Sequence, residues 1–147
     1  MTNPRSPSED GTPRTPGIPD IPDVFLSSVR RTYRTPDGCA RVRHETTGSA
    51  TTWLLCAAGE FDSDTVRALH QALTDAQDAG AERILLDLSR VTFGDSSFLH
   101  ELLKAHYGPG RLVLVGPLTN QVRRLFELTG TLRLFHLALD RGSAGLA

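Results

Sequence analysis

The sequence predicts an α/β domain built on a mostly parallel sheet of four to five strands, with an N-terminal hairpin and three to four helices. Three observations carry this expectation. Strand-length apolar runs alternate with segments whose apolar residues recur at helical spacing. Two of those runs, Arg83–Leu88 (RILLDL) and Arg111–Val115 (RLVLV), are continuous rather than alternating, as in parallel strands covered on both faces. Gly and Pro fall between the runs as punctuation. Strands that alternate with helices of this length form a layered sheet with right-handed crossovers.

A chain of 147 residues suits one domain, and 39% hydrophobic with 22% charged residues suits a soluble globular one. The formal net charge of −1 supplies no global field toward nucleic acid or an acidic membrane, so neither is expected as a direct partner. No apolar run approaches the roughly 20 residues of a membrane helix. The polar N-terminus has no apolar stretch of a secretion signal, and a cytoplasmic location is expected. Cys39 and Cys56 lack zinc-ligand spacing, so no metal or other cofactor is expected. Cys56 lies in an apolar run and reads as a buried thiol, while Cys39 follows Gly38 in a turn; nothing supports a disulfide between them. Lys104 is the single Lys among 16 basic residues, a bias that points to a GC-rich bacterial genome rather than to a binding role.

Residues 1–23 hold six of the nine prolines and read as a disordered tail. Residues 24–39 form an extension of uncertain structure. There Val24, Phe25 and Leu26 can dock on the domain. Arg30, Arg31 and Arg34, with Arg41 and Arg43, make a basic cluster, read first as a solvated face or edge strand. The domain proper is expected over 40–147. Ala40–Thr46 and Thr52–Ala58 make a hairpin around Thr47-Gly48-Ser49. A helix capped by Asp62 or Ser63 follows, with a stripe of Val66, Leu69, Leu73 and Ala76, and Gly80 stops it. After the strand at Arg83–Leu88 comes a second helix with Leu99, Leu102, Leu103 and His106 on one face, broken at Gly108-Pro109-Gly110. After the strand at Arg111–Val115, Thr119 caps a third helix striped by Val122, Leu125, Phe126 and Thr129 and ended by Gly130. Leu132–Leu137 is a last short strand, with His136 as a core residue, and Arg141 onward is too small and polar for a long closing helix.

Loops that follow parallel strands share one end of a sheet, where α/β proteins place function. That end gathers Glu60, Asp62, Asp95, Ser96 and Ser97. Asp95-Ser96-Ser97 lies between a strand and a helix start, where unpaired N–H groups favour an anionic group. Capping by Asp95 is the simplest role. A phosphate on Ser96 would add about −1.5 to −2 charge at an exposed point, meet repulsion from Asp95, and alter any docked interface.

Three signatures occur in order: Gly59-Glu60-Phe61-Asp62; Leu86-Asp87-Leu88 with Val91-Thr92-Phe93 and Asp95-Ser96-Ser97; and Thr119 with Val122-Arg123-Arg124-Leu125-Phe126 and Thr129-Gly130. From about Thr52 to Phe135 the chain resembles the STAS domain of anti-sigma factor antagonists. That resemblance implies a regulator rather than an enzyme. It implies phosphorylation of Ser96 by an anti-sigma factor that is also a serine kinase, reversal by a serine phosphatase, and control of sigma-factor-dependent transcription. It places Glu60, Asp62, Asp95, Ser97, Phe98 and His100 at the partner interface.

Phe98 and His100 depart from the family, which has small residues at those positions. Phe98 either anchors a changed partner or packs inward. The departure also leaves open a STAS module that is not a phosphoswitch: a ligand sensor, a signalling scaffold, or a soluble transport-system subunit. A hydrolase using Ser96, His100 and Asp95 lacks the Gly-x-Ser-x-Gly elbow. His100, His106 and His136 lack compact metal-ligand spacing.

Overall fold

The structure, a computed structural model, describes residues 29–145. The expectations of a disordered tail over 1–23 and of docking by Val24, Phe25 and Leu26 lie outside the described residues, as does the side chain of Arg30. Along the chain run β1 (Val29–Arg34), β2 (Ala40–Glu45), β3 (Thr52–Phe61), α1 (Arg67–Asp78), β4 (Arg83–Gly94), α2 (Ser96–Tyr107), β5 (Arg111–Val115), α3 (Asn120–Thr129) and β6 (His136–Ala138).

The strands lie in the sheet in chain order, β1 to β6. β1, β2 and β3 pair antiparallel, and β3 to β6 pair parallel. Each parallel step moves the same way across the sheet, so right-handed crossovers leave all three helices on one face. Their apolar stripes meet Val42, Leu55, Ile84, Leu86 and Leu114 in one core. The sheet has six strands, more than the four to five expected. β1 is the edge strand that was one reading of the arginine cluster: Tyr33 faces the core while Arg31 and Arg34 are exposed, so the inward alternation rests on few residues. On that inward side, the Tyr33 hydroxyl donates to Asp75 Oδ2 at 2.7 Å and Arg31 Nη1 to the same oxygen at 3.2 Å, tying β1 to α1.

The helix ends differ in informative ways. Asp62 does not cap α1, which begins at Arg67 behind Val66. Asp62 instead organises the preceding turn, in which its carbonyl accepts from Val66 N–H at 2.9 Å. Gly80, at φ 78°, follows α1, where Ala81 N–H reaches back to Ala76 O in a Schellman-type stop. Gly130, at φ 71°, ends α3 in the same manner. Thr119 is the residue before α3 but makes no side-chain cap; its hydroxyl donates to Val91 O at 2.7 Å and fastens α3 to β4. β6 is shorter than expected. Phe135, rather than His136, is the core residue of that stretch, and His136 is exposed on the edge strand.

The other sheet face carries no helix among the described residues. Leu54, Cys56, Leu85, Val113 and Val115 form a second cluster there, covered by Ala144. Arg141 fixes this closing segment: Nε donates to Asp87 Oδ2 at 2.9 Å, Nη2 to Cys56 Sγ at 2.9 Å, and Nη1 to Glu45 at 3.4 Å. The Asp87 side chain is 9% exposed, and an unpaired charge there would be costly; Ser89 supplies two further hydrogen bonds. Burial pushes the Cys56 thiol up to about 12, so it stays protonated. Both cysteines are free, Cys39 exposed and Cys56 buried.

Candidate functional site

The parallel pairing of β3 with β4 runs to Phe61 opposite Gly94, so the two strands end side by side. Asp95 N–H donates to Phe61 O at 3.2 Å, which joins the two loops directly. Asp62 and Asp95 each begin a new stretch at this common end, and Ser96 opens α2 between them and the solvent.

Asp95 is the N-cap of α2. Its Oδ1 accepts from Ser97 N–H at 2.9 Å and Phe98 N–H at 3.2 Å. Ser96 is exposed, and its hydroxyl bonds no described residue. Asp62 Oδ1 accepts from Asp64 N–H at 2.9 Å and from Thr65 N–H and hydroxyl at 3.0 Å each. These donors, Asp64 N–H foremost, hold the Asp62 carboxyl below its ordinary range. Thr65 is buried; its hydroxyl accepts from Asp62 N–H and shares its one proton between Glu60 O and Asp62 Oδ1, which makes the turn a closed hydrogen-bonded ring. Both carboxylates are therefore fixed in place by backbone donors.

A third turn supports the first two. Gly59, at φ 99°, lies where an added Cβ would stand 2.0 Å from Cys39 O, and Glu60 N–H donates to that carbonyl at 2.9 Å. Only glycine permits this approach. Asp37 shapes that turn, accepting from the Thr35 hydroxyl at 2.6 Å and Cys39 N–H at 2.9 Å. Asp37, with Glu60 and Asp62 adding to it, pushes the Cys39 thiol up.

Of the expected site residues, Asp62, Asp95, Ser96 and Ser97 are brought together. His100 is exposed one turn along α2. Glu60 lies at the rim: it alternates with buried Phe61, pairs with Phe93, and faces away from the helices. Phe98 is corrected. It is 0% exposed, with its ring 5.6 Å from that of Phe61. Of the two orientations open from the sequence, the inward one is found, and Phe98 contributes no contact surface. The cause lies at Gly94, where a Cβ would stand 2.3 Å from the Phe98 ring: the missing side chain is the space the ring occupies.

Two further residues matter here. Gln121 of α3 grips the Gly94 peptide on both sides, accepting from its N–H at 2.8 Å and donating to its carbonyl at 2.8 Å. This clamp fixes the backbone immediately before Asp95. No local signal marks it, since its partner is 27 residues away. Phe93 is 40% exposed at the rim, an apolar contact point beside Glu60. Its signal was its place beyond Val91 at a strand end.

No hydrogen bond joins Ser96 to His100. No group of His, Cys, Asp and Glu able to hold a metal occurs among the described residues. No helix among them is long and apolar enough to cross a membrane. The fold and this end define a small α/β domain whose exposed surface of serine and fixed carboxylates suits recognition by another macromolecule.

Comparison with known proteins carries this further. The family profile described as “Mlab, STAS domain” matches residues 45–136. The chain is 32% identical over 98 residues to BtrV of Bordetella bronchiseptica, assigned as an anti-sigma factor antagonist; the match covers 64% of this chain and 84% of BtrV. Among solved structures, an anti-sigma factor antagonist from Mycobacterium paratuberculosis is similar with a TM-score of 0.60 at 24% identity, over 77% of this chain and 97% of that one. The Bacillus cell fate determinant SpoIIAA in its phosphorylated form is similar with a TM-score of 0.54 at 22% identity, over 71% of this chain and 96% of that one. At these identities the solved structures speak to the fold alone. The chain belongs to the STAS-domain family, in which BtrV carries the name of an anti-sigma factor antagonist.

Proposed function

We propose that this chain is an anti-sigma factor antagonist that binds a kinase-type anti-sigma factor and is released from it by phosphorylation at Ser96. It acts in the cytoplasm on sigma-factor-dependent transcription, as the substrate of a kinase rather than as an enzyme, and a serine phosphatase resets it. The observation that carries the reading is the state of Ser96: exposed, hydrogen-bonded to no described residue, and first in a helix whose N-cap carboxylate already takes the Ser97 and Phe98 N–H groups. Asp62, Asp95, Ser97 and His100 surround it as the contact surface, with Glu60 at the rim.

The electrostatics fit a release signal. A helix start ordinarily steadies a phosphate through its free N–H groups. Here Asp95 has taken two of them. A phosphate on Ser96 would add about −1.5 to −2 charge next to Asp95, with little local compensation. A partner seated on the neutral serine would meet both bulk and repulsion.

A second reading, a STAS module without a phosphoswitch, draws on His100, exposed bulk where the family has a small residue. It would serve as a ligand sensor, a scaffold, or a soluble transport-system subunit. One experiment separates the two. Immobilised Ser96→Ala and Ser96→Glu proteins are passed over lysate of the source organism, and retained proteins are identified by mass spectrometry. A serine kinase held by the Ala form and lost from the Glu form, which then phosphorylates the unsubstituted protein but not Ser96→Ala, is the expected result. Equal retention by both forms would sink the switch in favour of the second reading.

A further inference from the structure

The sheet face opposite the three described helices carries a site unrelated to Ser96. Ile84 and Leu112 lie in the core beneath the helices, so their neighbours Arg83 and Arg111 point to the opposite face. The two arginines are direct partners across β4 and β5, on strands about 4.8 Å apart. Like charges placed side by side in a sheet are destabilising, and no carboxylate among the described residues bonds either one. Arg83 Nη2 is held by Ala144 O at 2.9 Å, whereas the Arg111 guanidinium bonds no described residue. Three acids on this face are engaged elsewhere: Glu45 and Asp87 with Arg141, and Asp140 with Ser143 N–H at 2.8 Å.

Both arginines line a cavity of about 520 Å³, within the ~300–1,000 Å³ of ligand sites. Its remaining lining joins apolar Val113, Ala138, Leu139 and Ala144 with polar His136 and Ser143. Leu139 is 80% exposed beside it, large apolar surface with no role in the core. Paired guanidinium forks suit a phosphate or carboxylate, and the apolar wall suits a chain attached to it.

We propose that this cavity binds an amphipathic anion, its phosphate or carboxylate held by Arg83 and Arg111 and its short apolar chain laid along Val113, Ala138, Leu139 and Ala144. The ligand is either a free molecule or a headgroup presented by a bilayer, and the chemistry of recognition is the same for both. Because the wall includes the segment fixed by Arg141, occupancy also steadies that segment.

Calorimetric titration of the full chain with octyl phosphate, inorganic phosphate and octyl glucoside tests both halves of the site. Octyl phosphate is expected to bind saturably, and each of the other two at least about tenfold more weakly, a difference of about 1.4 kcal/mol. Arg111→Gln is expected to weaken octyl phosphate about tenfold and Leu139→Ser several-fold, neither with a lowered thermal melt, while Arg123→Gln on α3 changes nothing. Flotation with phosphatidylcholine vesicles, with or without phosphatidic acid, identifies the source. Flotation that needs phosphatidic acid and is reversed by octyl phosphate indicates a bilayer headgroup; no flotation indicates a free ligand. Absence of saturable octyl phosphate binding, or an Arg111→Gln protein that binds like its parent, overturns the proposal. Neither result bears on Ser96.

Discussion

At the scale of single residues, the end bearing Ser96 is shaped by two exchanges of space and hydrogen bonds. Asp95 gives its carboxylate to the start of α2. Asp95→Ala should cost about 1 kcal/mol of stability in urea unfolding, and Asp95→Asn much less, since Asn caps as well as Asp. Equal losses would mean that charge, not capping, is what Asp95 supplies. Gly94 gives its vacant side-chain position to Phe98. Gly94→Ala should cost about 1–3 kcal/mol by overpacking. In a Phe98→Ala background, itself about 3–5 kcal/mol down, the Gly94→Ala penalty should disappear. Additive losses would show that the ring is not the obstacle. Capping by Asp95 was legible in the sequence because cap chemistry is local. The direction of Phe98 was not, because the hollow at Gly94 exists only once β4 and α2 have met. The Gln121 clamp was invisible for the same reason.

At the scale of elements, the three helices and the strands β2 to β5 were legible from periodicity and from Gly80 and Gly130. What failed were the ends, where side chains bond to other elements instead of to their own. Asp62 spends its carboxylate on Asp64 and Thr65, which moves the start of α1 to Arg67. Thr119 spends its hydroxyl on β4. β1 was obscured because its fixing contact is polar: Tyr33 and Arg31 reach Asp75 of α1. This contact gives an alkaline signature. Burial, and then Asp75, raise the Tyr33 phenol from 10.0 to about 12. The raised value means that the fold favours the neutral phenol. Its contribution is complete below about pH 10 and is lost as pH rises toward 12. Tyr33→Phe should therefore flatten the fall in thermal stability above pH 10; an unchanged alkaline limb would remove Tyr33 from that role.

At the scale of the whole molecule, stability should be graded across the sheet. β3 and β4 sit mid-sheet with partners on both sides, while β6 is a three-residue edge. In hydrogen exchange followed by NMR, the amides of Leu85 and Leu86 should open only with global unfolding, and those of β6 by local fluctuation. Uniform protection would contradict this. The fold class was legible because strand and helix alternate strictly, but the order of strands was not, since many orders satisfy the same alternation. The observed order has a consequence for how the chain is made. Each strand is laid against one that left the ribosome before it, and none must be threaded between strands already joined, so assembly can keep pace with synthesis. The last described turn reaches back furthest: Arg141 closes on Glu45 of β2 and Asp87 of β4, so that turn docks on strands already joined beneath it.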